Sequence, residues 1–222
     1  MFRPRVIPTL LLKDGGLVKT VKFSNPTYIG DPINAVRIFN DREADELVFL
    51  DIEGIIQLSL VKKVAEEAYM PFAVGGGIQN LSQARKLFEV GAEKVVIKTH
   101  TKIIPEIANV FGSQSIIACI DVSDNIPIKR ARLVESLGAG EIILQSSAKD
   151  GTRDGYDLTL IKSISSVVNI PVIALGGAGS IKDFSKAIAA GASAVSAGSL
   201  FVYHNGGILI NYPDKEELEK II

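Results

Sequence analysis

The chain has 222 residues, 47% of them hydrophobic, and carries 24 Lys and Arg residues against 25 Asp and Glu residues. A chain of this size can bury one sizeable core, and its net charge of −1 argues against nucleic acid or an anionic membrane as a partner. Its single cysteine, Cys119, cannot form an internal disulfide, and no apolar run is long enough for a signal core or a membrane span. We therefore expect a soluble cytoplasmic protein in which residues 1–222 form one domain.

Short β-branched runs alternate with longer segments of helical periodicity along the whole chain, which is typical of βαβ units and a parallel sheet. The predicted strands are residues 5–11, 46–51, 71–74, 94–97, 116–121, 141–145, 171–174 and 194–196. Eight strands, each followed by a helix, predict an α/β protein with a (β/α)8 TIM-barrel fold. An open doubly wound sheet fits less well, because it more often has fewer strands and a GxGxxG motif after the first, and that motif is missing here.

An internal repeat relates two parts of the chain. When residues 171–199 are placed on residues 71–99, the same residue recurs 100 positions later at Pro71, Gly76, Gly77, Lys86, Gly91 and Ala92. A weaker match relates the stretch before the second strand to the stretch before the sixth. Identical glycine pairs after corresponding strands predict two half-barrels related by a twofold axis, so a site in one half should have a counterpart in the other.

Glycines and hydroxyls follow the strands of the repeat, at the barrel end where enzymes of this fold build their sites. Glycine turns let a phosphate approach the backbone, and the following helix N-termini favour an anion. We predict two phosphate-binding sites: a first-half cradle of Gly76, Gly77, Lys98 and Thr99, and a second-half cradle of Gly151, Gly176, Gly177, Gly198 and Ser199. The alternative is that these glycines serve only as tight turns between strand and helix.

Three carboxylates near strand ends are candidates for catalysis. Asp51 and Asp121 each follow a run of apolar residues, and Asp150 lies just beyond the sixth strand. A carboxylate at the end of an apolar strand is costly unless it has a partner or a task. We predict that Asp121 is a general acid or base, that Asp51 contributes to the same site, and that Asp150 orients substrate hydroxyls. Loop capping by the first two and an ordinary Asp-Gly turn at the third are the alternatives.

Lys19 lies between the first strand and the first helix, in a stretch of about 20 residues that we interpret as a loop. Loops of this length in compact barrels are often mobile lids, so the Lys19 cation could close over an anionic substrate. The alternative is that Lys13, Lys19 and Lys22 belong to a solvated loop.

Four charged residues, Arg5, Glu46, Lys94 and Glu141, stand at the N-terminal ends of four predicted strands. In a closed barrel they would form a charged ring at its floor, where the two acids and two bases can pair. Pairing for stability and a gate to the barrel interior are both compatible with this pattern. We predict neither a metal nor a cofactor, because His100 and His204 belong to no cluster with ligand spacing.

Several stretches resemble HisF, the cyclase subunit of imidazole glycerol phosphate synthase. They are residues 5–8, 13–15, 30–32, 44–52 (ADELVFLDI), 74–78 (VGGGI), 111–114, 138–142 (GAGEI) and 150–157 (DGTRDGYD), and together they span nearly the whole chain. The resemblance implies a barrel whose N-terminal face binds a glutaminase subunit. It also implies that ammonia passes the charged ring, crosses the barrel and reacts with a phosphate-bearing substrate at the other end.

The chain departs from the HisF pattern at several positions. Leu11 stands where the family has an essential Asp, while Asp121 matches the second catalytic Asp, and loss of such a group commonly lowers rates by ~10²–10⁴-fold. Lys98 replaces the usual Asn before Thr99. The connection after Asp51 is shortened, and Asp121 leads through Ser123, Asp124 and Asn125 almost directly into a helix.

Other stretches are more similar to a branch of HisF-like proteins associated with surface polysaccharide synthesis: residues 10–12, 16–23, 198–203 and 209–213. That resemblance implies delivery of ammonia to a nucleotide sugar, giving an amidine, and the missing Asp favours it over the cyclase of histidine biosynthesis. A non-catalytic phosphate-binding barrel and an isomerase acting on a similar bisphosphate are the remaining alternatives. The isomerase is disfavoured because it gives the charged ring no purpose.

Overall fold

The computed structural model describes residues 3–122, 126–204 and 206–221. In chain order its elements are β1 (Arg5–Lys13), β2 (Gly16–Val21), β3 (Ser24–Gly30), α1 (Pro32–Asp41), β4 (Leu47–Asp51), α2 (Leu58–Glu67), β5 (Phe72–Gly75), α3 (Leu81–Glu89), β6 (Lys94–Ile97), α4 (Ile104–Phe111), β7 (Ile116–Asp121), α5 (Pro127–Ser136), β8 (Glu141–Gln145), α6 (Leu158–Ser165), β9 (Val172–Leu175), α7 (Ile181–Ala189), β10 (Ala194–Ala197), α8 (Ser199–Val202), β11 (Tyr203–His204), β12 (Gly207–Ile208) and α9 (Lys215–Glu219). Within these described ranges no helix is long and apolar enough to cross a membrane.

Eight of the strands close into a barrel. Neighbouring strands pair in parallel in the order β1, β4, β5, β6, β7, β8, β9 and β10. The sheet closes where β10 pairs in parallel with β1, with Arg5 opposite Ala194 and Pro8 opposite Ala197. Helices surround this barrel, so the predicted (β/α)8 fold is confirmed.

Side chains that alternate along the barrel strands separate two apolar layers. One set points into the barrel and includes Ile7, Val48, Val96 and Ile143. The other set, to which Phe39 and Leu87 belong, packs between the strands and the surrounding helices. Strands buried on both faces read as near-continuous apolar runs, which is why the sequence predicted these strands with few boundary errors.

The two halves of the barrel repeat the same backbone features. The first half contains β1 and β4–β6, and the second contains β7–β10. Gly91 and Gly191 precede β6 and β10 with the same φ of 107°. Gly76 and Gly176, after β5 and β9, also have positive φ angles, of 124° and 98°. Because these conformations are rarely adopted by other residues, the recurring glycines mark corresponding turns.

The segment between β1 and α1 is a β-hairpin, so the prediction of a long loop there was wrong. β2 pairs antiparallel with β1, with Leu11 opposite Val18, and β3 pairs with β2. Lys22 and Phe23 form the two-residue turn, with φ angles of 50° and 58°. Those two residue types do not signal a turn. The turn from β1 to β2, however, is Asp14-Gly15, with φ angles of 51° and 76°, and an Asp-Gly pair is a strong hairpin signal that the prediction did not use.

Candidate functional site

The parallel barrel brings the carboxyl ends of all eight strands to one rim, and a cavity of about 570 Å³ opens there. Leu11 from β1, Asp51 from β4 and the turn after β5 line this cavity, together with Lys98 and Gln145. The cavity therefore lies where barrel enzymes assemble their sites. Both cradles lie at this rim, as the repeat predicts, because β5, β6, β9 and β10 all run in the same direction.

The first-half cradle lines the main cavity. A side chain at Gly76 has no space, because a β-carbon there would lie 2.4 Å from the Asp51 carbonyl oxygen. At Gly77 a β-carbon would lie 2.4 Å from the Gly54 carbonyl oxygen. Lys98 and Thr99 are exposed and line the same cavity. The close contacts fit the alternative that these glycines serve as tight turns, and the turn also lines the main cavity, where a phosphate can approach it.

Asp51 caps the connection that follows β4. Its Oδ1 accepts hydrogen bonds from the backbone N–H groups of Glu53, at 2.9 Å, and Ile55, at 3.1 Å. This geometry is that of the loop-capping alternative, although Asp51 also lines the main cavity. The connection itself is short, comprising residues 52–57. Ser123, Asp124 and Asn125, on which the expectation of a short connection after Asp121 rests, lie outside the described residues.

Asp121 ends β7 and is 6% exposed. Lys98 Nζ donates to Asp121 Oδ2 at 3.0 Å and lies 5.4 Å from the centre of the Phe23 ring. The Lys98 side chain is 47% exposed, so a partly solvated cation covers a nearly buried carboxylate. Lys98 was predicted to bind phosphate, and its position between the first-half cradle and Asp121 lets it contact either group.

Lys19 and Asp150 form a buried ion pair beside the second-half cradle. Lys19 is 5% and Asp150 7% exposed, and Lys19 Nζ donates to Asp150 Oδ1 at 3.2 Å. Thr20 Oγ1 and the backbone N–H of Lys22 also donate to Asp150, to its Oδ2 and its carbonyl oxygen. The interpretation of Lys19 as part of a solvated loop was therefore wrong, because the hairpin strand β2 places its side chain inside the protein.

The second-half cradle is nearly enclosed. Asp150, Gly151, Gly176, Gly177, Gly198 and Ser199 surround a space of only about 10 Å³. Ser199 is 6% exposed, and a β-carbon at Gly198 would lie 3.4 Å from Lys19 Nζ. A β-carbon at Gly151 would lie 2.7 Å from the Thr20 carbonyl oxygen. The hairpin and its lysine thus cover the cradle whose first-half counterpart faces a large cavity.

Leu11 occupies the position on β1 that corresponds to Asp121 on β7. It is 7% exposed and lines the main cavity. Because a leucine side chain cannot exchange a proton, the corresponding ends of the two halves present one acid and one hydrocarbon to the rim.

The charged ring closes the opposite end of the barrel. Arg5 donates to Glu46 and, at 2.7 Å, to Glu141, and Lys94 Nζ donates to the same two carboxylates at 2.9 Å each. Each acid therefore contacts both bases. Burial alone would raise the pKa of Glu141, but hydrogen bonds and charge from Arg5 and Lys94 outweigh it and hold that pKa below its ordinary value.

Phe23, Cys119 and Gln145 are among the residues at the main cavity that were not predicted. Cys119 and Gln145 could have been found from alternation, because Cys119 lies two positions before Asp121 and Gln145 ends β8. No sequence pattern predicted Phe23 at the cavity, because its position depends on the turn between β2 and β3. In the described part of the chain no group of His, Cys, Asp or Glu residues has the arrangement of a metal site.

Comparisons with known proteins agree with this architecture. Residues 5–208 match the family model described as histidine biosynthesis protein. The chain is 46% identical to a Pseudomonas aeruginosa protein with the provisional name imidazole glycerol phosphate synthase subunit hisF2, with 99% of each chain covered. It is 41% identical to the imidazole glycerol phosphate synthase subunit HisF of Alkaliphilus metalliredigens, with 94% of each covered. The chain therefore belongs to the HisF family of histidine biosynthesis proteins.

Proposed function

We propose that this chain is the ammonia-using synthase subunit of a glutamine amidotransferase and acts on a phosphate-bearing substrate at the rim. The proposal depends on two features that lie at opposite ends of the same barrel. The charged ring lies at the floor, and Asp121 lies beside the first-half cradle at the rim. Buried ion pairs contribute little net stability compared with apolar packing, so a ring of four charges is poorly explained by stability alone. Side chains held by ion pairs can separate and re-form, and an apolar plug cannot do this without losing its packing.

The source of ammonia would be a glutaminase subunit bound at the N-terminal face of the barrel. Two features support this face. The charged ring lies there, and the relatives named above carry the word subunit in their names. Above the ring the barrel interior is apolar, with small side chains such as Ala73 and Ala194 among its residues. Ammonia is small and uncharged, so it can cross such an interior at lower cost than ammonium could.

At the rim, Asp121 would relay protons while the nitrogen of ammonia bonds to the carbonyl carbon of an acetamido group. Two protons of ammonia would pass to the carbonyl oxygen, which would leave as water, so that the amide becomes an amidine. Lys98 Nζ donates to Asp121 Oδ2 at 3.0 Å, which places a cation beside this carboxylate. The first-half cradle would hold the substrate phosphate, and the backbone at Gly76 and Gly77 would approach it closely.

The substrate that we favour is a nucleotide sugar of surface polysaccharide synthesis, which would become an amidine. Leu11 supports this choice, because the cyclase of histidine biosynthesis would need a second acid at that position. The family description, histidine biosynthesis protein, favours the cyclase instead, and both substrates carry phosphate. A non-catalytic phosphate-binding barrel is the candidate from another class, and Leu11 is also the observation in its favour.

A turnover assay with ammonium salt tests the proposal. The histidine-pathway bisphosphate and an acetamido-sugar nucleotide are offered side by side to the wild type and to Asp121→Ala, with Asp154→Ala as the matched control because Asp154 is exposed. We expect product from the sugar nucleotide and a loss of ~10²–10⁴-fold in Asp121→Ala, with retained phosphate binding. Product from the bisphosphate alone would reassign the substrate, and absence of turnover with both would favour the scaffold.

A further inference from the structure

A second pocket, of about 290 Å³, lies behind the first-half cradle. Its walls are mostly apolar: Ile55 and Ile56 from the connection after β4, Leu58 from α2, and Ile78 and Leu87 on the other side. Gln83 and Lys86, on α3, provide polar groups at its border. Gly54, Gly76, Gly77 and Ile78 line both this pocket and the main cavity. These residues therefore form a wall that the two spaces share.

The second half of the barrel provides an internal control for this pocket. Gly77 abuts the Gly54 carbonyl oxygen, and Gly177 abuts the Gly155 carbonyl oxygen, where β-carbons would lie at 2.4 Å and 2.3 Å. Gly54 and Gly155 are thus equivalent positions. The residues that follow them differ in number and burial. Ile55 and Ile56 lie between Gly54 and the helix cap Gln57, whereas Tyr156 alone lies between Gly155 and the cap Asp157. Ile55 is 72% exposed, and Tyr156 is 5% exposed.

In the second half Tyr156 packs between the barrel and α7. Its hydroxyl donates to the Ser196 carbonyl oxygen at 2.7 Å, and its ring lies 6.4 Å from the ring of Phe184 on α7. Lys149 Nζ donates to the carbonyl oxygens of Gly155 and Tyr156, both at 3.0 Å. The longer connection and the exposed Ile55 of the first half thus distinguish the wall of the open pocket from its second-half counterpart.

We propose that this pocket binds the nucleoside end of a nucleoside diphosphate. The diphosphate would lie over the turn at Gly76 and Gly77, next to Lys98, and the group attached to it would extend into the main cavity towards Asp121. An apolar pocket bordered by an amide and an ammonium suits a heteroaromatic ring, which has apolar faces and polar edges. This inference rests on the proposed function, and it specifies a substrate whose phosphates are adjacent.

The enclosed second-half cradle supports the same substrate class. A bisphosphate with phosphates at its two ends needs both cradles, but only about 10 Å³ is open in the second. A nucleoside diphosphate needs only the first-half cradle and the space on either side of it. The asymmetry of the rim therefore favours a ligand whose phosphates are adjacent.

Binding measurements on the full chain by calorimetry test this inference without requiring turnover. The probes are uridine diphosphate, inorganic pyrophosphate and fructose 1,6-bisphosphate. We expect uridine diphosphate to bind about tenfold more tightly than either of the others. Ile55→Ser should reduce the ratio of the affinity for uridine diphosphate to the affinity for pyrophosphate at least threefold. The affinity for pyrophosphate itself should not change. Leu133→Ser, at a residue of α5 that is 50% exposed, is the matched control and should change neither affinity.

A crystal soaked with uridine diphosphate gives an independent readout, with the uracil ring expected between Ile55 and Gln83. Equal affinities for uridine diphosphate and pyrophosphate, an unchanged ratio in Ile55→Ser, or a ring located in the main cavity would each overturn the nucleoside pocket. So would tighter binding of the bisphosphate. None of these results contradicts ammonia-dependent turnover, which the assay above measures separately.

Discussion

The two halves of this barrel share a backbone plan but differ in how much of it they expose. After β5 the glycine turn faces a cavity of about 570 Å³, with a partly exposed lysine, Lys98, above it. After β9 the corresponding turn faces about 10 Å³, and the nearby lysine, Lys19, is buried against Asp150. A twofold repeat thus fixes where backbone and glycines lie, while the added hairpin and a few side chains decide which copy of the site is open.

The two halves also contain different kinds of ion pair at this rim. The pair in the second half connects the hairpin to the barrel and is shielded from solvent. In the pair between Lys98 and Asp121, the lysine lines the main cavity and is 47% exposed, so solvent or a ligand can compete for this cation. We interpret the first pair as part of the structure that closes the rim and the second as part of the reactive site.

Replacing each lysine by methionine should give the largest difference in stability. Lys19→Met leaves Asp150 buried without its cation and should lower the free energy of unfolding by about 3–5 kcal/mol. Lys98→Met also leaves a nearly buried carboxylate, Asp121, but the cation it removes is 47% exposed, so we expect a smaller loss of about 1–3 kcal/mol. Urea denaturation monitored by circular dichroism measures both. The double variant Lys19→Met with Asp150→Asn is the control, since it removes the uncompensated charge and should recover part of the loss. Equal losses for the two single variants would remove the distinction between the pairs.

The glycine turns should respond unequally to the same substitution. Alanine is strained at both Gly77 and Gly177, whose φ angles are 69° and 104°. The loop that Gly177 contacts is fixed, because Gly155 donates its N–H to the Gly177 carbonyl oxygen at 2.7 Å. Asp51 holds the loop at Gly54 through Glu53 and Ile55, but among the described residues no backbone hydrogen bond connects that loop to Gly77. We therefore expect Gly177→Ala to lower the free energy of unfolding by about 3 kcal/mol and Gly77→Ala by about 1–2 kcal/mol.

Thermal unfolding of the two alanine variants is a suitable measurement, with Gly206→Ala as a control because its φ of 82° is also positive but it has no neighbour within 4 Å. This control measures only the cost of placing an alanine at a positive φ angle. If Gly77→Ala proved the more damaging, the loop at Gly54 would be the more rigid of the two.

Most of the barrel could be predicted from sequence because its strands are continuous apolar runs and its repeat places glycines at equal spacing. The charged ring was also predictable, since Arg5, Lys94 and Glu141 begin strands that converge at one end. The hairpin was not predicted, although Asp14-Gly15, which connects β1 to β2, is a hairpin signal. Lys22 and Phe23, which connect β2 to β3, give no such signal. Without these strands the contact of Lys19 with Asp150, 131 positions away, and the covering of the second-half cradle were not predicted either.

The smallest expected effect concerns acid stability, at a position where the halves carry different residues. Burial alone would raise the pKa of Asp183, but the N–H groups of Gly179 and Ser180, together with Lys186, outweigh it and lower that pKa. The first-half counterpart is neutral Gln83, whose Oε1 accepts from the Gln79 N–H at 2.7 Å. Because the folded-state pKa of Asp183 is lowered, its contribution to stability is complete above the unfolded-state value of about 4 and is lost as pH falls through the folded-state pKa.

Asp183→Asn should therefore lower the free energy of unfolding by about 1 kcal/mol at pH 7, the usual size of a lost helix cap. Below pH about 4 the wild type loses stability more steeply than the variant, so their denaturation midpoints converge. Urea titrations at pH 7, 4 and 3 measure this, and Gln83→Ala is the matched variant, because its effect should not depend on pH. If the wild type and Asp183→Asn differed in free energy of unfolding by the same amount at all three pH values, the charge of Asp183 would contribute nothing. The carboxylate would then act only as a hydrogen-bond acceptor, as the amide of Gln83 does in the other half.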